Sequence, residues 1–271
     1  MNIRFFSHLA CATLILQGIS CAADTTTAAA QSPTEVGFVS LFNGTNLDGW
    51  TPKIRGYPLG ENFGNTFRVN NGVLQVGYEN YTDFGGKFGH LFYKSPFTNY
   101  ILRLEYRHIG EQVAGGPGWA IRNSGIMIHG QDPATMQQDQ EFPVSLEVQL
   151  LSGDGSKNRT TANLCTPGTL VTMGGQLRQE HCIESTSKTY LNDQWVSVEL
   201  EVNGPLIIHR VEGEEVIRYE NPVLDENDGN AKSLIEAKPD HSKILTGGTI
   251  SLQAESHPVE FRNIRIKQIT P

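Results

Sequence analysis

Two stretches decide the fold: Phe142–Leu151, FPVSLEVQLL, and Ala120–His129, AIRNSGIMIH. In the first, Leu146, Val148 and Leu150 point one way and Ser145, Glu147 and Gln149 the other. That is the period-two pattern of a half-buried strand. In the second, Ile126 and Ile128 share one face, and Asn123, Gly125, Met127 and His129 share the opposite one. The spacing predicts two paired strands, each with an apolar and a polar side. Glu and His are acid/base groups, Asn and Gln both donate and accept, and Arg122 adds a fixed cation. Side by side on a curved sheet, these residues form a polar floor suited to a sugar. The same alternation also describes a solvated outer face, because antiparallel sheets commonly wet one side.

Similar signals lie on either side. Leu102, Leu104 and Tyr106 alternate with Arg103, Glu105 and Arg107, and Val196, Val198, Leu200 and Val202 alternate with Ser197, Glu199 and Glu201. Asn70-Asn71-Gly72 joins Phe67–Val69 to Val73–Val76 as a hairpin, since Asn-Gly accepts positive φ. Gly213 marks a second hairpin, between Leu206–Val211 and Glu215–Tyr219, and Thr249–Ala254 and Val259–Lys267 read as closing strands. Asn163–Cys182 reads as a loop and Asn221–Leu245 as irregular, with one helical turn. No segment of helical period exceeds about ten residues. With 28 glycines and 13 prolines to turn the chain, the expected fold is all-β, an antiparallel two-sheet sandwich or jelly roll.

The chain has 271 residues and a formal net charge of −8, which argues against nucleic acid and anionic membrane surfaces. Met1–Arg4 is basic, Leu9–Ile19 is a short apolar run, and Cys21-Ala22-Ala23 resembles a cleavage site. Residues 1–23 therefore read as a secretory signal, too short to span a membrane. Cleavage after Ala23 is the simpler reading; lipid attachment at Cys21 is its rival. Asp24–Val36 reads as a flexible tether, and residues 37–271 as one domain. An exported, periplasmic or secreted protein permits disulfides, and two cysteines outside the signal, Cys165 and Cys182, pair naturally. No later stretch is long and apolar enough to span a bilayer.

Several catalytic signatures are missing. The chain has no G-x-S-x-G elbow, no H-E-x-x-H and no G-x-G-x-x-G after a strand. No compact metal-ligand cluster such as an EF-hand loop is visible. Two-carboxylate glycoside hydrolysis needs a second acid beside Glu147. Gln149 stands where such an acid would follow on the same strand, so Glu105 becomes the candidate, if its strand lies adjacent.

The motifs taken together carry a resemblance. Ser40–Trp50 (SLFNGTNLDGW), Leu104-Glu105-Tyr106-Arg107, Asn123-Ser124-Gly125-Ile126, Glu147-Val148-Gln149, Gly248–Gln253 (GTISLQ) and Val259–Ile266 (VEFRNIRI) occur in this order. The chain in this respect resembles the 3-keto-disaccharide hydrolase family from about Phe38 to Ile269. It departs in carrying His129 where many members carry Arg. The resemblance implies a concanavalin-A-like lectin/glucanase sandwich, and cleavage of glycosides whose C3 hydroxyl has been oxidised to a ketone.

Carbonyl chemistry then sets the expected mechanism. The ketone makes the C2 proton acidic, a base removes it, the C1 substituent leaves by β-elimination, and water adds back. This step needs no nicotinamide or other cofactor, although a structural or catalytic ion is compatible with such sandwiches. The expected base is His129 or Glu147. Arg122 and Arg107 are expected to contact the enolate or a hydroxyl, with Glu105, Asn123, Gln149 and Gln253 around the sugar. Two rival functions remain open: a non-catalytic, lectin-like sugar-binding module, and a conventional two-carboxylate hydrolase. The sequence leaves the aglycone and the oligomeric state undefined.

Overall fold

Strand alternation stacks the chain into two antiparallel sheets. The computed structural model describes Met1 and residues 36–270. The expected signal over 1–23, Cys21 included, and the tether up to residue 35 lie outside the described residues. In chain order the strands are β1 (Val39–Ser40), β2 (Trp50–Ile54), β3 (Phe67–Asn70), β4 (Val73–Val76), β5 (Gly89–Tyr93), β6 (Tyr100–His108), β7 (Asn123–Gly130), β8 (Leu146–Leu151), β9 (Asn163–Cys165), β10 (Thr169–Met173), β11 (Gln176–Arg178), β12 (Cys182–Ile183), β13 (Val196–Asn203), β14 (Leu206–Val211), β15 (Glu214–Leu224), β16 (Thr249–Ala254) and β17 (Val259–Gln268). A single α-helix, α1 (Gly229–Ala237), starts where the Asp228 side chain accepts from Ala231 N, an N-cap that satisfies one free amide of the first turn.

The ten-stranded sheet runs β11-β10-β15-β14-β13-β6-β17-β4-β3, with β1 beside β17; the seven-stranded sheet runs β12-β9-β8-β7-β16-β5-β2. The expected pairing of β7 with β8 is present, with Met127 opposite Glu147 and Gly125 opposite Gln149. Inward-facing residues of both sheets form one core. Leu102, Leu104 and Tyr106 of β6 meet Ile126, Val148, Leu164 and Leu252 of the smaller sheet. Polar bonds cross it as well: Tyr106 Oη donates to Leu151 O at 3.0 Å, and His209 Nδ1 lies 2.9 Å from Ala162 O. No helix among the described residues is long and apolar enough to cross a membrane; strands are not tested by that criterion.

Three segments differ from the sequence reading. Asn163–Cys182, expected as a loop, supplies β9, β10, β11 and the start of β12 to both sheets. These strands are two to five residues long, too short for an alternation to show. The second strand of the Gly213 hairpin runs on to Leu224. Trp50–Ile54 (WTPKI) is an edge strand whose proline and lysine hide any strand period. The predicted disulfide is present, joining Cys165 and Cys182 directly across β9 and β12. A loop of that size is worth about 3 kcal/mol in the chain-entropy account.

Candidate active site

Two rungs of side chains cross the outer face of the seven-stranded sheet. One runs Thr51, Phe92, Ser251, Met127, Glu147, Cys165. The next begins with Lys53, His90 and Gln253. It continues through Gly125, where Ser124 Oγ donates to Gln253 O at 2.9 Å, and on to Gln149 and Asn163. This is the polar face read in β7 and β8. Most of it is covered rather than wet: Phe92, Met127, His90, Gln253 and Glu147 are all buried. Phe142 packs edge-on to His90 and tilted against Phe88, and an exposed Trp119 stacks on Phe88.

Glycine at 125 lets the center of this face close in. A Cβ there would fall 2.7 Å from Glu147 Oε1 and 3.0 Å from Gln253 Oε1. The carboxyl from β8 and the amide from β16 therefore converge over the β7 backbone. The alternation of β16 carries one residue past its end, from Gln253 to Glu255, and breaks at Ser256, where φ is 85°. Glu255 Oε2, both amide atoms of Gln253, Asn123 Oδ1, Ser251 Oγ and both nitrogens of His90 are buried without a hydrogen-bond partner. Buried polar groups are normally paired, so a face with this many free donors and acceptors is built to bond a polar ligand.

Burial sets the electrostatics. It pushes the Glu147 carboxyl up to about 8. It pushes Glu255 well above the usual carboxylate range, and the nearby Glu147 charge adds to the rise. Burial, with Lys53 beside it, lowers His90 to about 3. Lys53 is held down by burial while Asp139 partly offsets it, and its ammonium donates to Gln138 O at 3.0 Å.

Five buried histidines and two buried carboxyls make stability depend on pH in opposite senses. Burial lowers His90 to about 3, His129, His209 and His257 to about 4, and His108 well below the usual imidazole range. The unfolded chain protonates them below about pH 6.5 and the fold does not, so stability rises with pH from about 4 to 6.5. Glu147 and Glu255 keep protons that the unfolded chain has lost, so their contribution falls as pH rises from about 4.5 to 8. Five groups against two below about pH 6.5, and two nearly unopposed above it, place the maximum Tm near pH 7. Thermal melts across about pH 5 to 9 check this; a Tm still rising at pH 9 contradicts it.

The expected site residues divide. Glu147, Gln149, Gln253 and Asn123 share the face. His129 and Arg122 stand at opposite ends of β7, seven residues and roughly 20 Å apart at the rise of a strand, too far to touch one sugar ring. Both have positive φ, 50° and 49°. A register shift between β16 residues Thr249 and Ser251 marks a bulge at the His129 end, so simple alternation no longer fixes where its side chain points. Burial alone lowers His129 to about 4, with no charged neighbor contributing.

Glu105 and Arg107 are corrected outright. Both lie on the outer face of the other sheet, across the whole core from Glu147. Glu105 accepts from Arg262 Nε at 2.7 Å and Asn263 Nδ2 at 2.6 Å, and Arg107 pairs with Glu260 at 2.7 Å. The Arg107 and Arg262 guanidinium groups sit 4.6 and 4.0 Å from the Trp195 ring center. Alternation in β6 identified an outward face but not which sheet owned it. Glu105→Gln is expected to leave turnover unchanged and to cost at most about 1 kcal/mol, as partly exposed ion pairs do; parallel activity and melting measurements check it.

Glu255, His257 and His90 were missed as site residues. The available signal was the period-two run Ser251, Gln253, Glu255, His257, which the turn-like Ser256-His257-Pro258 interrupts. Among the described residues no group of three or more His, Cys, Asp or Glu side chains is arranged to hold a metal ion.

Solved structures with the same architecture include two candidate glycosyl hydrolases from Parabacteroides distasonis ATCC 8503. One is 19% identical, with a TM-score of 0.50 over 86% of this chain and 94% of its own. The other is 17% identical, with a TM-score of 0.50 over 86% and 99%. The Ca2+-bound exoplasmic/lumenal domain of VIP36 aligns at 9% identity and a TM-score of 0.50, over 87% of this chain and 91% of its own. At such identities the likeness is one of fold. No curated protein sequence matches the chain. Its sequence does match, over residues 37–267, the family described as the 3-keto-alpha-glucoside-1,2-lyase-like domain, and the chain belongs to that family.

Proposed function

We propose that this protein cleaves 3-keto-glycosides by elimination, with Glu147 as base and Glu255 as acid. The observation that carries the reading is the meeting of the buried Glu147 carboxyl and the unpaired Gln253 amide over Gly125, with the buried Glu255 near enough to feel the Glu147 charge. Removing a proton from carbon wants a strong base near the working pH. A carboxyl at about 8 meets that need better than a histidine at about 4. The Glu147 carboxylate takes the C2 proton, and the electron pair moves into the enolate of the C3 ketone. The C1–O bond then breaks, and Glu255 gives its proton to the departing oxygen. The unpaired amide of Gln253 and the half-buried Gln149 are placed to donate to the enolate oxygen and ring hydroxyls, where fixed donors stabilise developing charge. Water added across the resulting double bond yields the free 3-keto-sugar.

Conventional hydrolysis fits less well, because it needs one carboxylate ionised to face a cationic transition state. Glu147 at about 8 gives up ionised fraction for basicity, a trade that helps take a proton from carbon and does nothing to steady a cation. The test is incubation of a 3-keto-glucoside and its unoxidised parent in D2O. Cleavage of the oxidised sugar alone, with deuterium at C2, supports the proposal. Cleavage of the parent indicates an ordinary hydrolase, and binding without cleavage a lectin; either outcome rejects elimination.

A further inference from the structure

The mechanism leaves unused a cluster just beyond Glu255. Beyond Glu255 the chain brings in His257, and three other elements deliver Arg122, Arg159 and His108 to the same place. Arg159 Nη1 donates to Ile121 O at 2.7 Å and Ser152 O at 2.8 Å. The Ser152 hydroxyl lies 2.9 Å from His108 Nδ1. The His108 ring stands edge-on to His257 with centroids 5.7 Å apart.

This cluster is positive, and the acid that acts on both Arg122 and Arg159, Asp154, is exposed and forms an ion pair with neither. Among the described residues neither Arg122 nor Arg159 forms an ion pair. Arg122 Nε, His108 Nε2 and both ring nitrogens of His257 are buried with no hydrogen-bond partner, and His257 itself is 1% exposed. Asp154 Oδ1 already accepts from Ser156 N and Oγ at 2.9 and 2.6 Å. After burial, Arg122 and Arg159 both press the His257 pKa down, and Arg122 does the same to Arg159. Like charges held together in a half-buried place are costly without a counter-charge. In a chain of net charge −8, such a gathering is local and specific.

We propose that Arg122, Arg159 and His257 form a subsite for an oxyanion carried by the sugar, either a planar carboxylate or a tetrahedral phosphate. The proposal rests on the reading that the Glu147–Gln253–Glu255 face holds the sugar, and it narrows the substrate class to acidic glycosides. Ser256, at φ 85°, turns the chain between Glu255 and His257, so the histidine follows the proposed acid closely in sequence but on a bent backbone. Guanidinium donors match carboxylate and phosphate geometry, and neutral His257 adds a hydrogen bond. Glu255, which keeps its proton, does not repel the anion.

Calorimetric titration of the full chain with unoxidised sugars tests this apart from elimination. The ligands are D-glucose, D-glucuronate, the neutral methyl ester of glucuronate, and glucose 6-phosphate; the proteins are wild type, Arg122→Gln and Arg122→Lys. Glucuronate or glucose 6-phosphate is expected to bind at least about tenfold tighter than glucose, and whichever anion wins identifies the carboxylate or the phosphate. The methyl ester should behave as glucose does. Arg122→Gln should erase the preference without lowering Tm, and Arg122→Lys should keep part of it. Equal affinity for glucose and both anions, no binding of either anion, or a preference that survives Arg122→Gln would overturn the proposal. No ligand here carries a ketone, so a negative result leaves the deuterium experiment on a neutral 3-keto-glucoside free to succeed or fail by itself.

Discussion

Replacing Glu147 with glutamine is expected to lower kcat/KM on a 3-keto-glucoside by about 10²–10⁴-fold, the range a positioned acid/base group contributes. Glutamine keeps the size and the hydrogen bonding of the side chain and removes only its capacity to take a proton. The wild-type pH profile should carry the same signature. With the carboxyl pushed up to about 8, only a minor fraction is ionised at neutral pH, so the rate climbs with pH and levels above about 8. At higher pH it falls again once Glu255 gives up its proton. The Glu147→Gln variant should lose the rising limb along with the rate. Near-wild-type turnover in this variant, or a rate falling steadily from pH 6, would remove Glu147 from the role of base.

The second large effect comes from a residue with no side chain. Gly125→Ala places a methyl group 2.7 Å from Glu147 Oε1 and 3.0 Å from Gln253 Oε1. What it strikes is side chain and not backbone, including Glu147 Cγ at 2.9 Å, so the strain falls on the two catalytic groups before it reaches the sheet. The carboxyl and amide cannot yield and remain where the reaction needs them. Displacements of about 1 Å in a catalytic group cost on the order of 10²-fold. Turnover is therefore expected to fall by about 10²-fold while Tm moves by no more than a degree or two. Thermal melts beside steady-state kinetics separate the two readouts. Unchanged turnover would mean that Glu147 and Gln253 need not meet over this glycine.

These effects show what the sequence could and could not convey. The alternation in β6, β7, β8 and β13 gave the strands, their apolar sides and the antiparallel class, because period two is a direct print of burial. The β7–β8 pairing followed from two adjacent strands with matching polar sides. The identity of the sheet beneath each polar side was hidden. Glu105 and Glu147 carry the same local pattern, yet the first faces outward from the ten-stranded sheet and the second from the seven-stranded sheet. Only long-range register distinguishes them. The Ala120–His129 stretch did not reveal how its two ends are placed, for a local reason. Arg122 and His129 both take positive φ, a conformation uncommon for residues with a Cβ, and each breaks the alternation just where a chemical role was assigned. Glu255 was legible in principle, two residues beyond Gln253, but the Ser256-His257-Pro258 turn concealed it. The cysteines needed no topology, since reading residues 1–23 as a signal leaves Cys165 and Cys182 as one pair, which the structure joins.

One consequence follows from where that pairing falls. Strand β12 has two residues and ends the seven-stranded sheet, and the Cys165–Cys182 bond fastens it over β9. A sheet margin with open amides and carbonyls invites a foreign strand to add on. The covalent clasp therefore guards the molecule against self-association along that side, and the polypeptide kept under reducing conditions should clump before it loses its shape.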